Sequence, residues 1–399
     1  MKRLFASILT ASMMLVTACG GGGNEAATGS TEQAPIKIGI VTSKTGVLEA
    51  YGNQMLNGFE LGIDYATDGK REIDGRKIEI VVEDTQTKPD IAVQKATKLL
   101  EQDNVDLLVG SASSADTLAI LPLVEEFNKV MVVEPAVADS ITGSEWNRHI
   151  FRTARNSSQD AAAGAAAIAG PGVKIATLAP DYAFGRDGTA AFVSVAKKLG
   201  ADIVLEEFAD PKATDFTANV QKIIDAKPDY VFVIWAGANA PWKNLIDMKL
   251  PEKGIKISTG APDIAALKTM SNLEGMEGFS VYYNELPDNK INSWLVEEHK
   301  KRFNSVPDLF TAGGMSAAIS IVEGIKKAGS TDADALIAAM EGMEFDTPKG
   351  KMKFRAEDHQ AMQTLYAIKL EKKDGYDHLV PTLLRELSPE ETEPPILNK

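Results

Sequence analysis

Cysteine is nearly missing from this chain: Cys19 is the only one in 399 residues. A body without a second cysteine forms no internal disulfide and no cysteine metal cage, so its stability has to come from core packing. Aromatic residues make up only 7%, and the longest apolar run, residues 4–16, is too short to span a bilayer. Positive charge is scarce as well, with 42 basic residues against 56 acidic ones and a net charge of -14. That field repels nucleic acid and anionic headgroups, which argues against a polyanionic partner.

Catalytic signatures are also lacking. No Gly-x-Ser-x-Gly, His-Glu-x-x-His or phosphate-binding loop occurs, and paired acids such as Glu206-Glu207 are adjacent and point differently on their elements. His149, His299, His359 and His378 stand at no motif spacing and read as surface or structural residues. The expectation is a protein that is not an enzyme and carries neither cofactor nor metal.

What is present begins at the N-terminus. Lys2 and Arg3 precede the apolar run, and Val16-Thr17-Ala18-Cys19 places small residues before a cysteine. The pattern is that of a secretory signal, and the quartet resembles the lipobox of bacterial lipoproteins, in which the cysteine is lipidated after cleavage. Residues 20–34 are Gly, Thr, Ser, Glu and Ala with little apolar content, the composition of a flexible tether. The expectation is a signal over 1–18, a tether over 19–34, and a folded body outside the cytoplasm, held to a membrane through lipid on Cys19.

From Ile36 onward, short β-branched runs alternate with longer amphipathic segments, the pattern of βαβ units around a covered parallel sheet. Strands are predicted at 36–42, 77–82, 106–110 and 130–133, with helices at 52–66, 90–100 and 116–127 between them. A second round follows, with strands at 173–178, 203–208 and 230–235. Two rounds predict two similar Rossmann-like lobes with mostly parallel sheets. The later part reads as helices at 291–303, 312–327 and 332–343, then strands at 351–354 and 364–370 as an antiparallel hairpin. The prolines and glutamates after position 388 read as a mobile tail.

Ligands of such sheets bind where strands end and helices begin, which selects the loops to inspect. One loop, 43–53, ends in Tyr51. Another, Gly110-Ser-Ala-Ser-Ser-Ala-Asp-Thr117, gathers small hydroxyls and amides suited to a carboxylate, although Ser113, Ser114 or Asp116 would equally serve as helix caps. The second round supplies Asp181-Tyr182-Ala183-Phe184-Gly185, whose rings could cover an apolar ligand body.

Taken in order, residues 36–53, 89–100, 107–114, 151–159 and 177–185 resemble the type I periplasmic binding proteins of branched-chain amino acid transporters, over about 35–387. The resemblance implies two lobes joined by three crossing strands, near Thr153, Tyr283 and Thr347. Lobe one would comprise 35–153 with 284–346, and lobe two 154–283 with 347–387. It implies Ser114, with Ser113 beside it, and the backbone at Ala136 as carboxylate binders, Tyr51 as a side-chain wall, and Tyr182 or Phe184 as the facing ring. Asp263 is the nearest acid for a ligand ammonium, with Pro262 at the expected place. The family's usual hydroxyl is replaced by Ala138, and Glu134 replaces a neutral residue, departures that leave other amino acids, amides or small carboxylates open. The implied partners are a small-molecule ligand and an ABC transporter permease. A sensor for a membrane receptor, built on the same clamshell, is the alternative.

Overall fold

The computed structural model describes residues 33–399 apart from position 238. The expected signal, Cys19 and most of the expected tether lie outside the described residues.

The first round runs β1 (Ile36–Thr42), α1 (Glu49–Ala66), β2 (Glu72–Ile73), β3 (Arg76–Asp84), α2 (Pro89–Glu101), β4 (Leu107–Gly110), α3 (Ser114–Glu126), β5 (Val130–Val133) and β6 (Ile150–Arg152). These strands form one sheet in the order β2-β3-β1-β4-β5-β6, parallel except where β2 turns back on β3. Strands β4 and β5 are buried at every residue because helices cover both faces, so their sequences run apolar without alternation.

The second round runs α4 (Ser157–Ile168), β7 (Lys174–Pro180), α5 (Ala183–Lys198), β8 (Asp202–Ala209), α6 (Thr217–Ala226), β9 (Tyr230–Val233), α7 (Trp242–Asp247), β10 (Lys256–Thr259), α8 (Ile264–Thr269) and β11 (Glu277–Ser280). Its parallel sheet has the order β10-β9-β7-β8. The chain then returns through α9 (Lys290–Phe303), α10 (Leu309–Ala328) and α11 (Ala333–Met340) to the first core. It closes with β12 (Glu344–Thr347), β13 (Gly350–Phe354), β14 (Ala361–Met362), β15 (Leu365–Glu371) and β16 (Val380–Leu387).

Helix α10 is buried over most of its length because it packs against α1, α11, β12 and the first sheet in one core. The two helices touch at backbone distance. A Cβ added at Gly58 would lie 1.8 Å from the Thr311 carbonyl oxygen, and one at Gly314 would lie 2.0 Å from that of Met55. Only glycine leaves room for that approach. The helix also starts earlier than its apolar periodicity predicts, because Asp308 caps it and brings Leu309 and Phe310 into its first turn.

Three expectations are corrected by the closing strands. Strand β13 pairs with β12 and β14, not with the strand after position 364, so the predicted hairpin is split. Phe345, Met352 and Phe354 pack in the first core, while Tyr366, Ile368 and Leu370 pack in the second. The last passage between cores therefore falls at Gln363 and Thr364, not near Thr347. The tail is not loose either: Arg355 Nη1 donates to the Pro394 carbonyl at 2.8 Å, Asn398 Nδ2 to that of Glu357 at 2.7 Å, and Thr392 is buried.

Among the described residues, no helix is long and apolar enough to cross a membrane, and no group of three or more His, Cys, Asp or Glu residues could hold a metal. His359 has a structural place, stacked on Phe151 with its Nδ1 2.9 Å from the Ile150 carbonyl oxygen.

Candidate functional site

The carboxyl ends of both parallel sheets face one cleft of about 750 Å3, mouth included. From the first lobe, Tyr51 enters it from the opening turn of α1, Ser114 from the start of α3, Ala136 from the loop after β5, and Phe310 from the opening turn of α10. The Tyr51 and Phe310 rings lie 4.0 Å apart, a pairing set by the close contact of their helices. From the second lobe come Tyr182 and Phe184 at the start of α5 and Trp235 after β9. The cleft is a ring-lined slot with a small number of polar groups, the usual make-up of a small-molecule site.

Its polar groups are Ser114, Ser157, the tyrosine hydroxyls and one ion pair. The Ser114 hydroxyl accepts a hydrogen bond from the Ala138 N–H at 3.2 Å, which leaves its own proton for a ligand oxygen. Arg155 Nε donates to Asp160 Oδ1 at 3.1 Å, and both side chains line the slot. Burial raises the Asp160 carboxyl above the usual range, against the pull of Arg155. Burial likewise raises the Tyr51 and Tyr182 phenols, so both stay protonated and able to donate.

Of the residues singled out by sequence, Tyr51, Ser114, Ala136, Tyr182 and Phe184 come together here. Three others serve elsewhere. Ser113 caps α3, its Oγ accepting from the Asp116 N–H at 3.3 Å. Ala138 has no side chain in the slot but holds Ser114 through its N–H and accepts from Arg152 Nη1 at 2.6 Å. Asp263 caps α8 through the Ala266 N–H at 2.7 Å and lines the neighbouring hollow outside Tyr51. Arg155, Asp160, Trp235 and Phe310 were missed. The first two carried a signal, an arginine and an aspartate five apart around a helix start within the stretch 151–160.

Several bonds cross the cleft. The Gly237 N–H donates to the Tyr51 hydroxyl at 3.0 Å, Ser140 N–H and Oγ donate to Asp187 Oδ2 at 3.0 and 2.8 Å, and the Ile264 N–H donates to Asp308 Oδ2 at 2.8 Å. Asp308 is buried, and burial together with the Asp263 carboxylate pushes its carboxyl up to about 7. Because the folded value lies above the unfolded one, the stability Asp308 contributes is complete below about pH 4 and is lost as pH rises through 7. We expect Asp308→Asn to gain on the natural chain between pH 4 and pH 8, by roughly 3–4 kcal/mol in urea unfolding. A gap that does not change with pH would show that Asp308 titrates normally.

Two α/β lobes, with a ring-lined slot between them and hydrogen bonds from one lobe to the other, define a clamshell binding protein. The periplasmic binding protein family model matches residues 35–375, and the chain belongs to that family. It is 26% identical to "Leu/Ile/Val-binding protein homolog 6" of Brucella abortus, over 85% of this chain and 88% of that one. A solved ABC-type branched-chain amino acid transporter protein from Rhodopseudomonas palustris CGA009 is 51% identical, with a TM-score of 0.80, covering 91% of this chain and 100% of that one. A solute binding protein of an ABC transporter from R. palustris BisB5, solved with 3,4-dihydroxybenzoic acid, is 29% identical with a TM-score of 0.79, covering 89% and 97%.

Proposed function

We propose that this chain, the substrate-binding component of an ABC transporter, captures an amino acid or a related small carboxylate with an apolar body and presents it to a permease. The observation that carries this reading is the slot itself: rings from both lobes enclose an apolar body, while Ser114 and Arg155 offer donors to a carboxylate at one side. Closure is coupled to binding through the second-lobe rings. A ligand seated on the first lobe adds contacts with Tyr182, Phe184 and Trp235 only when the second lobe swings in, so binding selects the closed form.

An aromatic carboxylate is the second reading. It is favoured by the ring density of the slot and by the similar protein solved with 3,4-dihydroxybenzoic acid. The family places the body outside the cytoplasm. We further propose that Cys19 carries lipid, the tether 19–34 allowing the lobes to range near the membrane.

A thermal-shift screen against amino acids, amides and benzoates tests the cargo, since ligand at a hundredfold excess over Kd adds about 2.7 kcal/mol and lifts the midpoint by several degrees. A midpoint that moves with none of them removes the carboxylate reading. In cell fractionation, Cys19→Ala should shift the protein from membrane to soluble fraction; a variant still wholly on the membrane refutes the anchor.

A further inference from the structure

We infer that the ligand's polar head is held at the hinge side of the slot by the Arg155–Asp160 pair, Arg155 taking a carboxylate and Asp160 an ammonium. The inference rests on the reading of the slot as the ligand site. It names the pair as the element that selects a free amino acid over the same acid without its amino group.

The geometry is that of a pair left half open. Arg155 is 9% exposed, and only its Nε is engaged, by Asp160 Oδ1. Among the described residues, neither terminal nitrogen of Arg155 nor Asp160 Oδ2 makes a hydrogen bond. An arginine that pairs through one nitrogen keeps most of its planar fork for a second carboxylate.

A role in helix capping does not account for Asp160. Helix α4 already carries a complete capping box, with Asn156 accepting from the Gln159 N–H and the Gln159 side chain accepting from the Asn156 N–H. The other acids near the hinge, Asp139 and Glu134, do not line the slot. Asp139 accepts from the N–H and hydroxyl of Ser158 at 2.9 and 2.6 Å, and Glu134 accepts from the Thr153 hydroxyl at 2.9 Å. Asp263, which the family resemblance implied for the ammonium, is engaged as the cap of α8 outside Tyr51. Asp160 is the acid left with a free oxygen on the wall of the slot.

Charge balance then sets the preference. With Arg155 and Asp160 neutralising each other, a bare carboxylate brings an unmatched negative charge beside Asp160 in a poorly solvated slot. A zwitterion brings its own cation for that oxygen, so both charges of the pair find a partner.

The test uses the full-length chain in detergent, with titration calorimetry against the twenty amino acids and against 4-methylpentanoate and 3-phenylpropanoate, the deaminated forms of leucine and phenylalanine. The natural chain should bind at least one amino acid, and bind a deaminated form at least thirtyfold more weakly than its parent. Asp160→Asn should bring that ratio below threefold by weakening the amino acid and strengthening the acid, while Asp160→Glu retains the preference. Arg155→Gln should weaken both.

Binding of no amino acid, a preference for the deaminated form, or an unchanged ratio in Asp160→Asn overturns the inference. The ratio in the natural chain decides even where a variant fails to fold. Trp235→Ala separates the two readings. Affinity lost there but kept in Asp160→Asn and Arg155→Gln leaves the slot as the site and removes the clasp. Affinity kept in all three removes both.

Discussion

Replacing Gly58 with valine should leave no folded protein to purify, and Gly58→Ala should cost at least about 3 kcal/mol in urea unfolding, at the upper end of overpacking effects. The cause is local and steric. The added Cβ would fall 1.8 Å from the Thr311 carbonyl oxygen, a backbone atom that no rotamer change can move. Helices α1 and α10 would have to separate, opening the core that lies beneath them. Since Tyr51 and Phe310 occupy the first turns of these helices, whatever alanine variant folds should also bind cargo more weakly. An alanine variant within about 1 kcal/mol of the natural chain would show that the helices tolerate separation.

Arg152→Leu should lose about 3 kcal/mol, the order expected when a charged donor is withdrawn from several buried acceptors. Arg152 is fully buried, and burial pulls its guanidinium down to about 10. Its fork donates to Gln360 Oε1 at 2.7 Å, to the Ala138 carbonyl at 2.6 Å and to the Thr142 hydroxyl. Leucine takes a donor from each of them, leaving Gln360 Oε1 only the Thr142 hydroxyl and the Ala138 carbonyl only the Ile141 N–H, both at 3.3 Å. The damage reaches the slot, because the Ala138 N–H positions the Ser114 hydroxyl. Lysine should not rescue the loss, since a single ammonium cannot reproduce the planar fork. Equilibrium unfolding of both variants checks this, and a leucine variant as stable as the natural chain would contradict it.

Much of the first lobe could be read from sequence because its strands are covered on both faces and so appear as continuous β-branched runs, as at 36–42 and 130–133. The final passage between lobes could not. The run 351–354 shows alternation, which reports that one face is buried but not which core receives it; that depends on Phe354 meeting Phe151 in space. Tyr51 and Ser114 lay in loops after parallel strands, where such sheets bind, and the family resemblance added Ala136; all three line the slot. Asp263 was assigned to a ligand by position alone, and nothing in its neighbours announced that its carboxylate would cap α8. Arg155 and Asp160 escaped because no strand was predicted at 150–152, so the loop behind β6 was not among those inspected.

The bonds across the mouth carry a further consequence. Tyr51 with Gly237, Ser140 with Asp187, and Ile264 with Asp308 are all made by the protein to itself, at places a ligand need not occupy. A clamshell with latches of its own can shut before anything has entered. Each latch lowers the difference in affinity that cargo must supply to hold the lobes together, and each also raises the share of molecules that stand closed and vacant. A permease reading only the outer shape of the closed form would then meet empty carriers as well as loaded ones. The strength of three small contacts between the lobes thus sets how often a vacant molecule has the outline of a loaded one.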